Sequence, residues 1–398
     1  MPDLNMKAFL ILLLLYFTVY SGNAQVENPF PKLTRHVLKT PKSLLEDLPA
    51  LNDYLMEPCQ SDQEKAWVIY SWISQNIAYD QEAYERKKGR INQNIRDILD
   101  RDKALCFGYA QLFQVMAEHA GLQSEIISGY SKGTLTSQPK MDAPDHAWNA
   151  VKLDGEWALL DVTWGSSLLQ GTNDFVQQTQ EGFFLTKPQN FILNHLPLQA
   201  MWQLLDAPIQ ASDFSQSSTH IQNVITQDQQ DYHFQDSITA FLTLPLAEQK
   251  LRGSEIAYRF NPTPSNQNEL GNALMDYAGR LSEQADQFLA KQEMEQFLAT
   301  QEKAIQACER ASTLNSLFDW QYELYADLLI NQSVELYNRM DTKANKNVQK
   351  KLLLQLKKDL NTAQEQLRPL EKSFMAQYKI KISSSILESI EVDLKRLK

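Results

Sequence analysis

"HAWNAVKLDGEWALLDVTW", residues 146–164, places an Asp154-Gly155 step between two apolar-rich runs. Asp-Gly in that setting is the strongest short-range signal for a two-residue hairpin, because both turn residues take positive φ. The stretch predicts two antiparallel strands with Leu153 paired to Glu156. Carried along both strands, that register sets Trp148 opposite Asp161 and His146 opposite Thr163. His146 and Asp161 then lie diagonally on one face, where a carboxylate can hold one imidazole nitrogen and leave the other for a nucleophile. A register shifted by one residue would put them on opposite faces.

Working upstream, "SEIISGYS" (124–131) is a further β-rich run. Before it, "ALCFGYAQLFQVMAEHAGLQ" (104–123) changes to helical spacing, with Leu112, Phe113, Met116 and Ala117 on one side. This predicts a helix from about Cys106 to His119, with Gly121 as its C-terminal stop. Further back, Ala66, Ile69, Tyr70, Ile73 and Ile77 recur at spacings of three and four and predict a core helix. The core is therefore α+β. "NPFPKLTRHVLKTPKS" (28–43) is punctuated by proline and is expected to lie over the surface before structure begins. Downstream of about residue 265 the β signals fade into long helical patterns, and "FNPTPSNQ" around Pro262 and Pro264 marks a boundary. Ala304, Ala307 and Ala311 line one helical face, as in tetratricopeptide-like hairpins, although no clean 34-residue period runs through the region.

The 398 residues are ample for a buried core and suggest two or three domains. A net charge of −11 excludes an ordinary nucleic-acid-binding surface, which needs a basic face. From residue 341 onward basic residues outnumber acidic ones by six, a pattern that suits a solvated helical face or contact with an acidic partner. At the start, Lys7, the apolar run "AFLILLLLYFTVY" and the small residues Gly22 and Ala24 read as a signal peptide over residues 1–24, with Met6 an alternative start. The run is too short to span a bilayer, and no later stretch of about 18 apolar residues follows. The expectation is an exported protein, periplasmic or extracellular, with no stable membrane span.

Export sharpens the reading of Cys59, Cys106 and Cys308, because an odd count leaves at least one thiol unpaired. Their separations fit no compact metal-binding pattern, and no "DxDxDG" calcium loop occurs, so no metal or cofactor is called for. Cys106 stands at a predicted helix start, where unsatisfied N–H groups favour a negative charge, and Gly108 is expected to keep the surface low around the sulfur. Free amides there are natural oxyanion donors. His119 reads as a last-turn residue facing the helix dipole, and His195, in "ILNHLPLQ", as structural.

With "LCFGYAQLFQVMAEHAGL", "DHAWNAVKLDGEWALLDVTWG" and the trailing "FFLTKPQNFILNHLPLQAMWQLL" on the page, the chain resembles the transglutaminase-like superfamily of papain-fold thiol enzymes, in particular the kyphoscoliosis-peptidase and cytokinesis-protein type. The likeness covers roughly residues 60–215. It implies Cys106 as nucleophile, His146 as general base and then acid, and Asp161 as the orienting carboxylate. Tyr79, in "NIAYD", is implied as a helper at the oxyanion site or else as a core aromatic. The expected organisation is a leader (1–24), an N-terminal segment (25–60), a catalytic core (61–215), a connecting region (216–264) and a helical domain (265–398). The expected function is an exported peptidase or amidase acting on protein or peptide substrates. A crosslinking transglutaminase, or a scaffold binding a protein partner through the helices, are the alternatives.

Overall fold

Ser61 caps the first core helix: its hydroxyl accepts from the Glu64 N–H at 3.3 Å, and the Glu64 carboxylate accepts from the Ser61 N–H at 3.2 Å. This reciprocal pair satisfies two of the donors that a helix start leaves open. The computed structural model describes residues 28–86, 94–132, 139–166, 181–227 and 231–397. The chain divides into two compact units, one running to Gln235 apart from Lys140–Ala143, the other made of Lys140–Ala143 and everything from Asp236. The leader read over residues 1–24 lies outside the described residues.

The first unit begins with α1 (Pro31–Val37) and α2 (Leu48–Met56), followed by α3 (Asp62–Asn76). The proline-rich segment is thus not merely a surface strap, as its punctuation suggested. Pro31 sits in the first turn of α1, where a missing N–H costs nothing, and Leu33 and Val37 are buried in the core. From Ala66 to Ser74 every residue of α3 is buried, which makes it the central helix of the unit. Next come β1 (Ala78–Tyr79), α4 (Gln81–Glu85), α5 (Ile95–Arg101), β2 (Lys103–Ala104) and α6 (Cys106–His119). Gly121, at φ +78°, ends α6 as predicted, with the Leu122 N–H donating back to the Ala117 carbonyl at 2.9 Å.

A four-stranded antiparallel sheet follows, formed by β3 (Gln123–Ser131), β4 (His146–Leu153), β5 (Glu156–Leu160) and β6 (His195–Pro197) in the order β5-β4-β3-β6. Asp154 and Gly155 take φ of +50° and +93°, and Leu153 pairs with Glu156 as the turn chemistry requires. The ladder stops at Asn149–Leu160, so the extended register does not reach the site. Instead of facing Trp148 in the sheet, Asp161 is the N-cap of α7 (Val162–Gly165), and Thr163 lies inside that helix rather than opposite His146. The remaining short helices are α8 (Pro188–Phe191), α9 (Ala211–Phe214) and α10 (Ser218–Gln227).

The chain continues through α11 (Phe234–Leu242) into α12 (Leu246–Phe260), α13 (Pro264–Ala290), α14 (Met294–Leu314), α15 (Asp319–Asn338), α16 (Lys346–Leu367) and α17 (Phe374–Arg396). From α12 onward each of these helices packs on the next. Their shared core includes Leu274, Ala278, Ala304, Ala311, Leu329 and Leu360. Ala304, Ala307 and Ala311, which line one face of α14, are all buried in that core. The fold is α+β with a mainly helical C-terminal region.

Candidate active site

Three elements converge on one carboxylate. Asp161 is fully buried, and its Oδ1 accepts the α7 N–H of Trp164 at 3.1 Å. Its Oδ2 accepts from Nε2 of His146, the first residue of β4, at 2.7 Å and from Nε2 of His195, the first residue of β6, at 3.0 Å. One side chain therefore caps a helix and joins two imidazoles. The expected meeting of His146 and Asp161 occurs, but through the chain leaving the sheet at Leu160 rather than through a longer ladder.

Cys106 completes the arrangement. Its thiol lies beside the His146 ring, close enough to help hold the ring's proton, and because Asp161 holds Nε2, Nδ1 is the nitrogen left to serve the thiol. The start of α6 is fixed to the sheet by Asn149, whose Nδ2 donates to the Ala110 carbonyl at 2.9 Å. It is fixed to the end of α3 by the Tyr109 hydroxyl, which donates to the Ile77 carbonyl at 2.6 Å. Parallel pairing of Tyr79 with Ala104 brings β1 alongside the approach to Cys106. The first helical bond of α6 runs from the Tyr109 N–H to the Leu105 carbonyl. The N–H groups of Cys106, Phe107 and Gly108 precede it and are the open donors of a helix start. Gly108 is buried and Phe107 is 46% exposed, so it is Phe107, not the glycine, that forms the surface beside the half-buried sulfur.

Burial alone would strip His146 of its proton, but the Asp161 carboxylate, with help from Cys106, outweighs it and pushes the imidazole up to about 10. Burial acts on Asp161 in the opposite sense, and His146 followed by His195 holds it well below the usual carboxylate range. His195, desolvated and sharing its carboxylate with another imidazole, is pulled down to about 4. The Tyr79 phenol is pushed up by burial and then by the nearby Cys106 sulfur, which keeps it a protonated donor. The other thiols lack such company. Burial raises Cys59 to about 11 and Cys308 to about 12, and all three cysteines are free. His119 lies in the last turn of α6 and reaches Asp53 at 3.3 Å, away from this cluster.

His146, Asp161 and His195 each offer a ligand atom, all within 4.8 Å of one another, a set that could hold a metal ion. The 2.7 and 3.0 Å spacings are those of N–H donors on a carboxylate, and hydrogen bonding accounts for the cluster. His195 is the member that sequence reasoning set aside as structural. Its only local signal was a histidine opening a short apolar run, which many core histidines share.

The model of the transglutaminase-like superfamily matches residues 49–162, a span that holds Cys106, His146 and Asp161. These residues are a transglutaminase-like domain. The transglutaminase-like domain and its buried His–Asp–His group fit a papain-like fold. Over 184 residues, 46% of this chain, it is 42% identical to mouse kyphoscoliosis peptidase and 41% identical to the human protein. It is 31% identical to hillarin of Drosophila melanogaster over 175 residues, 40% of this chain. The matched segment spans 27% of the kyphoscoliosis peptidases and 21% of hillarin. These relatives correct one expectation: they are cytoplasmic or cytoskeleton-associated proteins, so the exported, periplasmic or extracellular location read from the leader is not upheld. Among the described residues no helix is long and apolar enough to cross a membrane.

Proposed function

We propose that the transglutaminase-like domain is a thiol hydrolase, a peptidase or amidase that works by acyl transfer on peptide-like amides. The observation that carries this reading is the single imidazole of His146, which touches the Cys106 thiol on one side and the Asp161 carboxylate on the other. His146 takes the thiol proton, Sγ bonds to the amide carbon, and the oxyanion is met by the open N–H groups at the start of α6. Tyr79 stands ready as a further donor. As the C–N bond breaks, the proton on Nδ1 passes to the leaving amine. Water then gives a proton back to Nδ1 and attacks the thioester, the C–S bond breaks, and the acid leaves with the thiolate–imidazolium pair restored.

A transglutaminase reaches the same thioester and resolves it with a lysine-type amine. Two of the relatives carry the name peptidase, which favours water as the acceptor. The test uses turnover of a fluorogenic peptide amide by the full chain and by Cys106→Ala, His146→Ala and the double variant. Residues acting as one unit lose activity together, so each single change should abolish turnover and the double should be hardly worse. Losses that multiply, or full turnover without the thiol, would sink the assignment.

A further inference from the structure

We propose that His195 is a positioning residue of this site, its Nε2–H fixing the Asp161 carboxylate so that the working unit is Cys106–His146–Asp161–His195. The inference rests on the function proposed above, but its first test does not require activity.

A carboxylate capped only at Oδ1 and touched by one imidazole can still swing about its Cβ–Cγ bond. Asp161 instead receives donors from three separate elements: Trp164 of α7 on Oδ1, and His146 of β4 and His195 of β6 on Oδ2. The sheet places the third donor, because β6 pairs with β3 through Gly129–Pro197, Tyr130–Leu196 and Ser131–His195, while Gly129 also pairs with His146 on the other side. Gly129 lets this happen at close range. A Cβ there would come within 2.2 Å of the Leu196 carbonyl oxygen and 2.5 Å of the Trp148 ring. β6 is thereby drawn in tightly enough for His195 to reach past the strand to Asp161.

The surroundings of His195 suit a neutral donor. The ring is fully buried, stacked on Phe191 at 4.1 Å and 20°, and flanked by Trp164 at 4.4 Å and Trp148 at 5.1 Å between centroids. The titratable groups that face it are Asp161 and His146. Its Nδ1 lies 2.6 Å from Asn194 Oδ1; exchanging the oxygen and nitrogen of that amide presents its NH2 to the ring, so that the neutral imidazole accepts at Nδ1 and donates at Nε2. The rings of Phe191, Trp164 and Trp148 bury this side of the carboxylate, which is fully shielded from bulk solvent. A purely structural histidine would need none of this aim at the triad.

The experiment is nitrogen-15 NMR of the histidine rings in the full chain, combined with the rate of Cys106 alkylation by iodoacetamide in wild type, His195→Phe and His195→Gln. Wild type should show His195 protonated at Nε2 near neutral pH. In His195→Phe the His146 Nε2–H resonance should move, and alkylation at neutral pH should fall on the order of ten- to a hundredfold, the scale of a slightly misplaced catalytic group. Glutamine can return an N–H to Oδ2, so His195→Gln should recover most of the rate although it replaces the ring less well than phenylalanine does. A packing role predicts the reverse order. An unprotonated Nε2 in wild type, or a folded His195→Phe whose His146 resonance and alkylation profile are unchanged, overturns the proposal. If wild type shows the Nε2–H but hydrolyses no amide, the functional reading fails and the positioning role stands.

Discussion

Replacing Asp161 by asparagine removes one charge and almost no volume from the centre of the site. The amide can keep its oxygen on the Trp164 N–H, but its NH2 then faces the two Nε2–H donors that Oδ2 now serves. To relieve that clash His146 must turn its proton to Nδ1, toward the thiol, and lose the imidazolium form that a thiolate partner requires. The climb of His146 from 6.5 to about 10 corresponds to about 5 kcal/mol of preference for the charged ring. Asp161 stands ahead of Cys106 among its favourable causes. Losing a large part of that preference lowers the population of the charged ring on the order of a hundredfold, and a wrong tautomer extends the loss toward ~10⁴-fold. The buried His195 Nε2–H left without an acceptor also costs roughly 1–3 kcal/mol of stability, which the fold should survive. Stopped-flow alkylation of Cys106 from pH 5 to 10, with urea unfolding followed by tryptophan fluorescence, measures both. An Asp161→Asn protein that alkylates like wild type near neutrality would show that the carboxylate does not govern His146.

His195 sets a pH dependence of stability. Its folded value, about 4, lies below the usual 6.5, so the unfolded chain binds the extra proton between these values and stability falls as pH drops from 6.5 to 4. The loss is about 3 kcal/mol, read as the wild type minus His195→Gln difference in urea midpoints. That difference cancels the opposite trend from Glu125, which burial raises to about 7; parallel curves would contradict the assignment. Gly129→Ala forces a methyl into the Leu196 carbonyl and the Trp148 ring and should cost about 1–3 kcal/mol, checked by the same unfolding assay; a neutral change would mean that β3 and β6 do not approach so closely. Mass mapping after brief iodoacetamide treatment at neutral pH should find Cys106 modified well before Cys59 and Cys308, which burial holds at about 11 and about 12.

What could be read from the sequence is what the sequence places close together. The Asp154-Gly155 turn and the span Cys106–His119 depend on neighbours within a few residues, and both formed where their local chemistry directed. His146 and Asp161 were legible as a pair because one hairpin carries both. The error lay in running the ladder past Leu160, where the helix-capping power of Asp161 takes over from strand pairing. His195 was illegible because its role depends on a three-residue strand joining β3 across a gap of more than sixty positions. α1 was missed because its two buried residues, Leu33 and Val37, make too short a stripe to compete with the proline signal, and tertiary packing decides such cases. The basic and apolar stretch read as a leader is a local pattern too, and the export expected from it is not upheld by the relatives, which are cytoplasmic or cytoskeleton-associated proteins.

The central claim is that Cys106 forms an acyl-enzyme with the help of His146. Incubating the full chain with an activated peptide ester, quenching in acid and mapping the adduct by mass spectrometry tests it most directly. The account predicts one acyl group on the Cys106 peptide, released by hydroxylamine, absent from Cys106→Ala and strongly reduced in His146→Ala. An adduct that forms equally well without His146, or none on a demonstrably reduced Cys106, would contradict it.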